Sequence, residues 1–182
     1  MRITCLVLAL WPAASLAQEA CPPQPDIAAE MDGLIARARA APDARAAQSV
    51  SDAMWALWSR APDARAQELL DEGMERRSAF DLAGAVDALD ALVAYCPDYA
   101  EGYNQRAFAN FLRRDYAAAL PDLDRAIALR PRHVAALSGR GLTLIALGRV
   151  EEGQDAIRAA LELNPWLQER AYLPSEAPGT DL

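Results

Sequence analysis

Residues 100 to 131 read AEGYNQRAFANFLRRDYAAALPDLDRAIALRP, and the spacing inside this stretch recurs on both sides of it. Its closing Pro131 has counterparts at Pro97 and Pro165, a constant step of 34. Other columns keep the same step: Gly73, Ala107 and Gly141; Ala85, Ala119 and Gly153; Leu69, Tyr103 and Leu137; Leu89, Leu123 and Ile157; Leu92, Ala126 and Ala160. A small residue recurs where two helices must approach closely, and a large apolar one recurs where they must fill space. A fixed period of this length means stacked similar units rather than one globular core.

Within each unit the apolar spacing is helical. The pattern predicts helices near 64–77 and 82–95, near 99–113 and 116–129, and near 133–147 and 150–163. The linking turns are short (78–81, Arg114-Asp115, Gly148-Arg149), so partners in a pair run antiparallel. Alanine and leucine dominate the chain and strand formers are sparse, which agrees with helix throughout. Upstream, Ile27, Met31, Leu34 and Ile35 mark one more helix, and Val50, Met54, Trp55, Leu57 and Trp58 mark its partner. Pro42-Asp43 separates them, and Pro-Asp returns at 62–63 and 97–98; proline closes one helix and aspartate caps the next.

The unit quoted first resembles a tetratricopeptide repeat (TPR). Tyr103 holds the first large site and Ala107 the close-packing site, with Tyr116, Ala119, Leu123, Ala126 and Pro131 on the remaining sites. Residues 134–165 match through Leu137, Gly141, Gly148, Gly153, Ile157, Ala160 and Pro165, and residues 66–97 through Leu69, Gly73, Leu82, Ala85, Leu89 and Pro97. Arg76, Asn110 and Leu144 replace the usual late tyrosine, and Phe80 and Arg114 replace the turn glycine that Gly148 keeps. The resemblance implies an all-α, TPR-type solenoid of antiparallel helix pairs. Its expected parts are a degenerate repeat or N-terminal cap at 26–62, three repeats at 63–165, a capping helix at 166–173 and a disordered tail at 174–182.

The N-terminus reads as an export signal. Arg2 precedes the apolar run Ile3–Leu10, and Ser15-Leu16-Ala17 offers small residues for a cut after Ala17. The run is too short to span a membrane. A periplasmic or secreted protein is expected, with residues 18–25 (containing Cys21-Pro22-Pro23 and Pro25) as an extended leader. Cys5 would leave with the signal, so Cys21 and Cys96 remain in an oxidising compartment. Two readings stand for them: a disulfide, or two separate thiols. No Cys-x-x-Cys spacing points to redox catalysis.

The 182 residues carry 26 acidic and 18 basic side chains, a formal charge of −8, which argues against nucleic acid and anionic membranes as partners. Lysine is absent, so a lysine nucleophile or Schiff base is excluded. His133 is the single histidine, placed at a helix start, where a solvated or capping role is expected. It cannot build a metal site alone, and no cofactor is expected. No phosphate loop or nucleophile elbow occurs. Paired carboxylates such as Asp87 with Asp90, and Glu68 with Asp71 and Glu72, suit a solvated helix face. Trp55 and Trp58 are expected to pack the N-terminal pair onto the first clear repeat.

In TPR arrays the first helix of each pair lines a concave groove. Carried onto this chain, the resemblance places Leu70 and Met74, then Asn104, Phe108, Phe111 and Leu112, then Ser138, Leu142 and Ile145 along it. TPR domains that clamp acidic chaperone tails use basic residues and asparagine where this chain has Leu70, Met74, Gln105, Ala135 and Gly139, so that clamp is not expected. The resulting expectation is a non-enzymatic periplasmic scaffold or adaptor that binds an apolar peptide or helix of a partner protein. The alternatives are an accessory subunit of an envelope enzyme or assembly complex, and a self-associating structural module. Partner identity and oligomeric state are left open by the sequence.

Overall fold

The computed structural model describes residues 20–174. The expected signal peptide and all but the first residue of the expected tail lie outside them. Eight α-helices follow one another: α1 Ala28–Arg39, α2 Ala44–Trp58, α3 Ala64–Ser78, α4 Leu82–Tyr95, α5 Ala100–Leu112, α6 Tyr116–Leu129, α7 Val134–Ala146 and α8 Val150–Leu163. A short 3₁₀ helix, Gln168–Tyr172, closes the described chain. Among the described residues none of the helices is long and apolar enough to cross a membrane.

Aspartates start four of these eight helices. The carboxylates of Asp43, Asp63, Asp81 and Asp115 accept the backbone N–H of Ala46, Ala66, Gly84 and Ala118, filling donors that a helix start leaves open. The Pro-Asp expectation fails at one of its three sites. Tyr99, not Asp98, stands at the start of α5, and Asp98 instead pairs with Arg125 at 3.0 Å. Pro121 is accommodated inside α6.

α3 packs on α4, α5 on α6 and α7 on α8, and each pair then stacks on the next. The small column of the repeat is where this packing is tightest. A Cβ on Gly73 would sit 2.6 Å from Leu89 Cγ, and one on Gly141 only 2.8 Å from the Gly153 carbonyl oxygen. Arg106 of α5 clips adjacent units together, reaching Asp122 at 2.6 Å and Asp90 at 2.7 Å. α3 also meets α5, and α5 meets α7, so the first helices of the units share one continuous face.

The N-terminal pair is helical but does not cap the array at its N-terminal end. Its apolar residues Met31, Ile35, Met54 and Trp58 share a core cluster with Val134, Leu163 and Leu167, which belong to the third unit and the segment after it. α1 touches α8. Polar ties follow the same route: Arg39 donates to the Glu162 carbonyl at 2.7 Å, Asn164 to Ser51 Oγ at 3.0 Å, and Tyr99 OH to the Trp58 carbonyl at 3.0 Å. Asp32 pairs with Arg132. The pair therefore folds back over the array.

The leader is fixed at both ends of its course. Cys21 and Cys96 are joined in a disulfide with Cα atoms 5.1 Å apart. Arg130 Nη2 donates to Gln24 Oε1 at 2.8 Å. The final segment lies against α8, with Gln154 Nε2 donating to the Tyr172 carbonyl at 3.1 Å.

Candidate groove on the concave face

Where α2 crosses the face made by α3, α5 and α7, the two surfaces leave a cavity of about 360 Å³. α5 contributes Asn104, Gln105, Ala107, Phe108 and Phe111, and α7 contributes Val134, Ala135, Ser138, Gly139, Leu142 and Thr143. α2 supplies the opposite wall with Ser51, Met54, Trp55 and Trp58. Arg77 comes from α3, while Asn164, Leu167 and Glu169 follow α8. Most of this lining is apolar.

Of the residues that the resemblance placed in the groove, Asn104, Phe108, Phe111, Ser138 and Leu142 line it. The other four do not. Leu70 is fully buried in a core cluster with Leu89 and Leu92, and Met74 packs against that cluster. Ile145 faces α8, since its Cγ1 lies 2.6 Å from where a Gly153 Cβ would stand. Leu112 is partly exposed but lies outside the cavity lining. A helix turns 100° per residue, so one helical face holds only part of any such set. Phe111 itself is half-buried, edge-on to Tyr116 with ring centroids 5.2 Å apart. Phe108 is the aromatic that α5 offers to solvent, 46% exposed.

The tryptophans divide their roles differently from the expectation. Trp58 is buried and stacks on His133 of the third unit rather than on the first repeat. Trp55, one turn earlier, stays 46% exposed on the cavity wall. Period alone could not reveal this, because it required knowing where α2 folds back.

His133 is not solvated; it is completely buried. Its capping role is real, with Nδ1 accepting the Ala136 N–H at 3.3 Å. That bond leaves Nε2 carrying the proton, and it donates to Glu101 Oε2 at 2.9 Å. Glu101 also accepts from Asn104 Nδ2 at 3.2 Å and from Gln105 Nε2 at 2.5 Å. Gln105 Oε1 in turn accepts from Arg77 Nη1. This chain of polar groups links α3, α5 and α7 beneath the cavity, and Trp58 closes it from α2. Glu101 escaped the sequence reading because an acidic residue in a first helical turn looks like an ordinary dipole partner.

Arg77 lays its guanidinium over the Phe108 ring, Cζ to centroid 4.5 Å. Burial pushes its pKa below the ordinary arginine range, and the charge of Glu101 opposes that shift. Burial likewise holds the Tyr99 phenol well above its ordinary range. Among the described residues, His, Cys, Asp and Glu nowhere gather in threes that could hold a metal. The cavity lining offers apolar surface and hydrogen-bonding groups side by side.

Antiparallel helix pairs stacked at a period of 34, with the first helices facing a groove, define an α-solenoid of the tetratricopeptide kind. No protein-family model matches the chain. A TPR repeat-containing protein of Rhizobium etli is 36% identical over 81 residues, covering 44% of this chain and 40% of its own length. The tetratricopeptide repeat protein 36 homolog of Nematostella vectensis is 39% identical over 71 residues, covering 39% of this chain and 39% of its own. The chain therefore spans about two fifths of these curated relatives. Among solved structures, the first TPR of Spaghetti (RPAP3), bound to the HSP90 peptide SRMEEVD, aligns with a TM-score of 0.58 and 27% identity over 59% of this chain and 85% of that one. The chain is similar to tetratricopeptide repeat proteins in sequence and shares their fold.

Proposed function

We propose that this chain is an exported, non-enzymatic adaptor that binds an apolar segment of a partner protein in the groove between α2 and the first helices of its repeats. The observation that carries the reading is the pair Phe108 and Trp55. Both line the same cavity and both remain 46% exposed, although the fold buries most of its other large apolar side chains. Large apolar groups held open in a concavity, with hydrogen-bonding groups such as Asn104 beside them, suit a docked partner. The RPAP3 domain, similar in fold, holds a peptide. Export is supported by the apolar run at Ile3–Leu10 and the small residues before position 18.

The test is photo-crosslinking in the native cell, with the crosslinker replacing Phe108 and a control at Arg158 on α8. One discrete protein captured from position 108 alone is the expected result. Equal capture from both sites, or none from either, would overturn the adaptor reading. The location is checked separately by the N-terminal sequence of the protein in the periplasmic fraction, expected to start at Gln18.

A further inference from the structure

Two charged side chains of opposite sign line the groove, Arg77 from the first repeat and Glu169 from the segment after the third. Its lining runs from α3 through α5 and α7 to the segment after α8, with Arg77 first and Glu169 last. Arg77 gives one N–H to Gln105 Oε1 and forms no ion pair among the described residues. A guanidinium has five N–H donors, so most of its capacity is unused. Glu169 makes no hydrogen bond and no ion pair among the described residues. The other acid nearby, Glu101, lies buried behind α5 and is occupied by Asn104, Gln105 and His133.

Space limits the occupant as firmly as charge does. An α-helix with side chains is about 10–12 Å across, more than a cavity of about 360 Å³ accepts, because α2 already takes the rest of the concave face. The cavity accepts a bulky apolar side chain among Phe108, Trp55 and Leu142 together with a short stretch of extended backbone.

We infer that the groove takes a short, non-helical segment of a partner protein in which one bulky apolar residue stands between an acidic group, held by Arg77, and a basic group, held by Glu169. The inference rests on the groove reading above and adds the partner's chemistry to it. Apolar contact supplies the anchor, and the two charges select among anchored segments and fix which end faces the first repeat.

The experiment pans a display library of random nine-residue peptides on the full chain, on Arg77→Glu, on Glu169→Arg and on Phe108→Glu. The wild type should enrich a large apolar residue flanked by opposite charges, about fivefold over neutral flanks, the upper range for a partly exposed pair. R77E should shift the enrichment to basic residues on both flanks, and E169R to acidic residues on both. Should R77E fail to fold, as judged by far-UV dichroism, E169R decides alone, because Glu169 has no partner to lose. Apolar enrichment with neutral flanks, unchanged in E169R, would overturn this inference and leave the groove reading standing. No enrichment over F108E would overturn both. A concentration-dependent mass in light scattering, abolished by Trp55→Glu, would assign the groove to a second copy and overturn the proposal.

Discussion

The Trp58 indole lies flat on the His133 imidazole, with ring centroids 4.2 Å apart and planes 13° from parallel. One ring belongs to the N-terminal helix pair and the other starts the third repeat, so the contact joins segments 75 positions apart (133 − 58). The imidazole is not free to turn: Ala136 fixes Nδ1 and Glu101 fixes Nε2. Trp58 thus meets a ring held in place by hydrogen bonds from within the repeats. The stack joins the core of Met54, Val134 and Leu167 in holding α2, and with it the second wall of the groove, against the repeats.

Trp58→Ala should lower stability by about 3–5 kcal/mol, the usual cost of emptying a buried aromatic site. Trp55→Ala, three residues earlier but half-exposed, should change stability by no more than about 0.5 kcal/mol while abolishing partner crosslinking. Urea unfolding of both variants checks the contrast. Equal losses would mean that Trp55 is structural and not a groove residue.

The repeats were legible because their signal is local and periodic. Gly73, Ala107 and Gly141 recur where first and second helices touch, and such contacts are set within one unit. The fold-back of α1 and α2 was not legible. Met54 and Trp58 announce an apolar face in sequence, but whether that face meets α3 or α7 is decided by Val134, Leu163 and His133, far along the chain. The groove was half-read for the same reason. Phe108 and Leu142 follow from repeat position, whereas Trp55 and Glu169 enter through tertiary placement.

Close helix approach predicts opposite signs for three Gly→Ala substitutions. At Gly141 and Gly153 an added Cβ would meet backbone at 2.8 and 2.7 Å, and backbone cannot yield as a side-chain tip can. Each substitution should cost about 1–3 kcal/mol. At Gly33, inside α1, nothing lies within 4 Å. There Ala should stabilise by about 1 kcal/mol through helix propensity alone. Thermal melts of the three single variants read the signs directly.

The disulfide closes a sequence separation of 75. The loop-entropy relation gives about 4.5 kcal/mol for a loop of that length. Denaturant unfolding with and without reductant should therefore differ by about that amount in the wild type and by nothing in Cys21→Ser. A wild-type midpoint indifferent to reductant would show that the bond adds no constraint to the unfolded chain.

Acid should weaken the helix starts. Asp63 has its pKa lowered from 3.8, first by the Ala66 N–H and then by the Tyr95 hydroxyl, and Asp81 is lowered by the Gly84 N–H and then by Arg76. A carboxyl depressed in the folded state binds fewer protons there than in the unfolded chain. Its contribution is complete above the unfolded pKa and disappears as pH falls through the lower, folded value. Melting temperature should accordingly fall from about pH 4 downward, and less steeply in the Asp63→Asn, Asp81→Asn double variant, which retains capping side chains without a titrating charge. Parallel acid limbs in the two proteins would remove these caps from the account.

The turn between α3 and α4 holds Phe80 at φ 60°, in the left-handed region, with its side chain 78% exposed. The equivalent turns place Arg114 at φ 63° and Gly148 at φ 80°. The conformation is therefore required by the repeat, and only the third unit fills it with the residue that adopts it without a Cβ clash. So exposed a ring recovers little packing to offset the strain. Phe80→Gly should raise stability by about 1 kcal/mol, after the entropy that glycine adds to the unfolded chain is subtracted. Gly148→Ala should lower it by at least as much, since no atom lies within 4 Å to make up for the strained backbone. A shift of the urea midpoint in each direction, with the slope of unfolding unchanged, is the expected record. A destabilised F80G would mean that the ring packs against a surface of the chain after all.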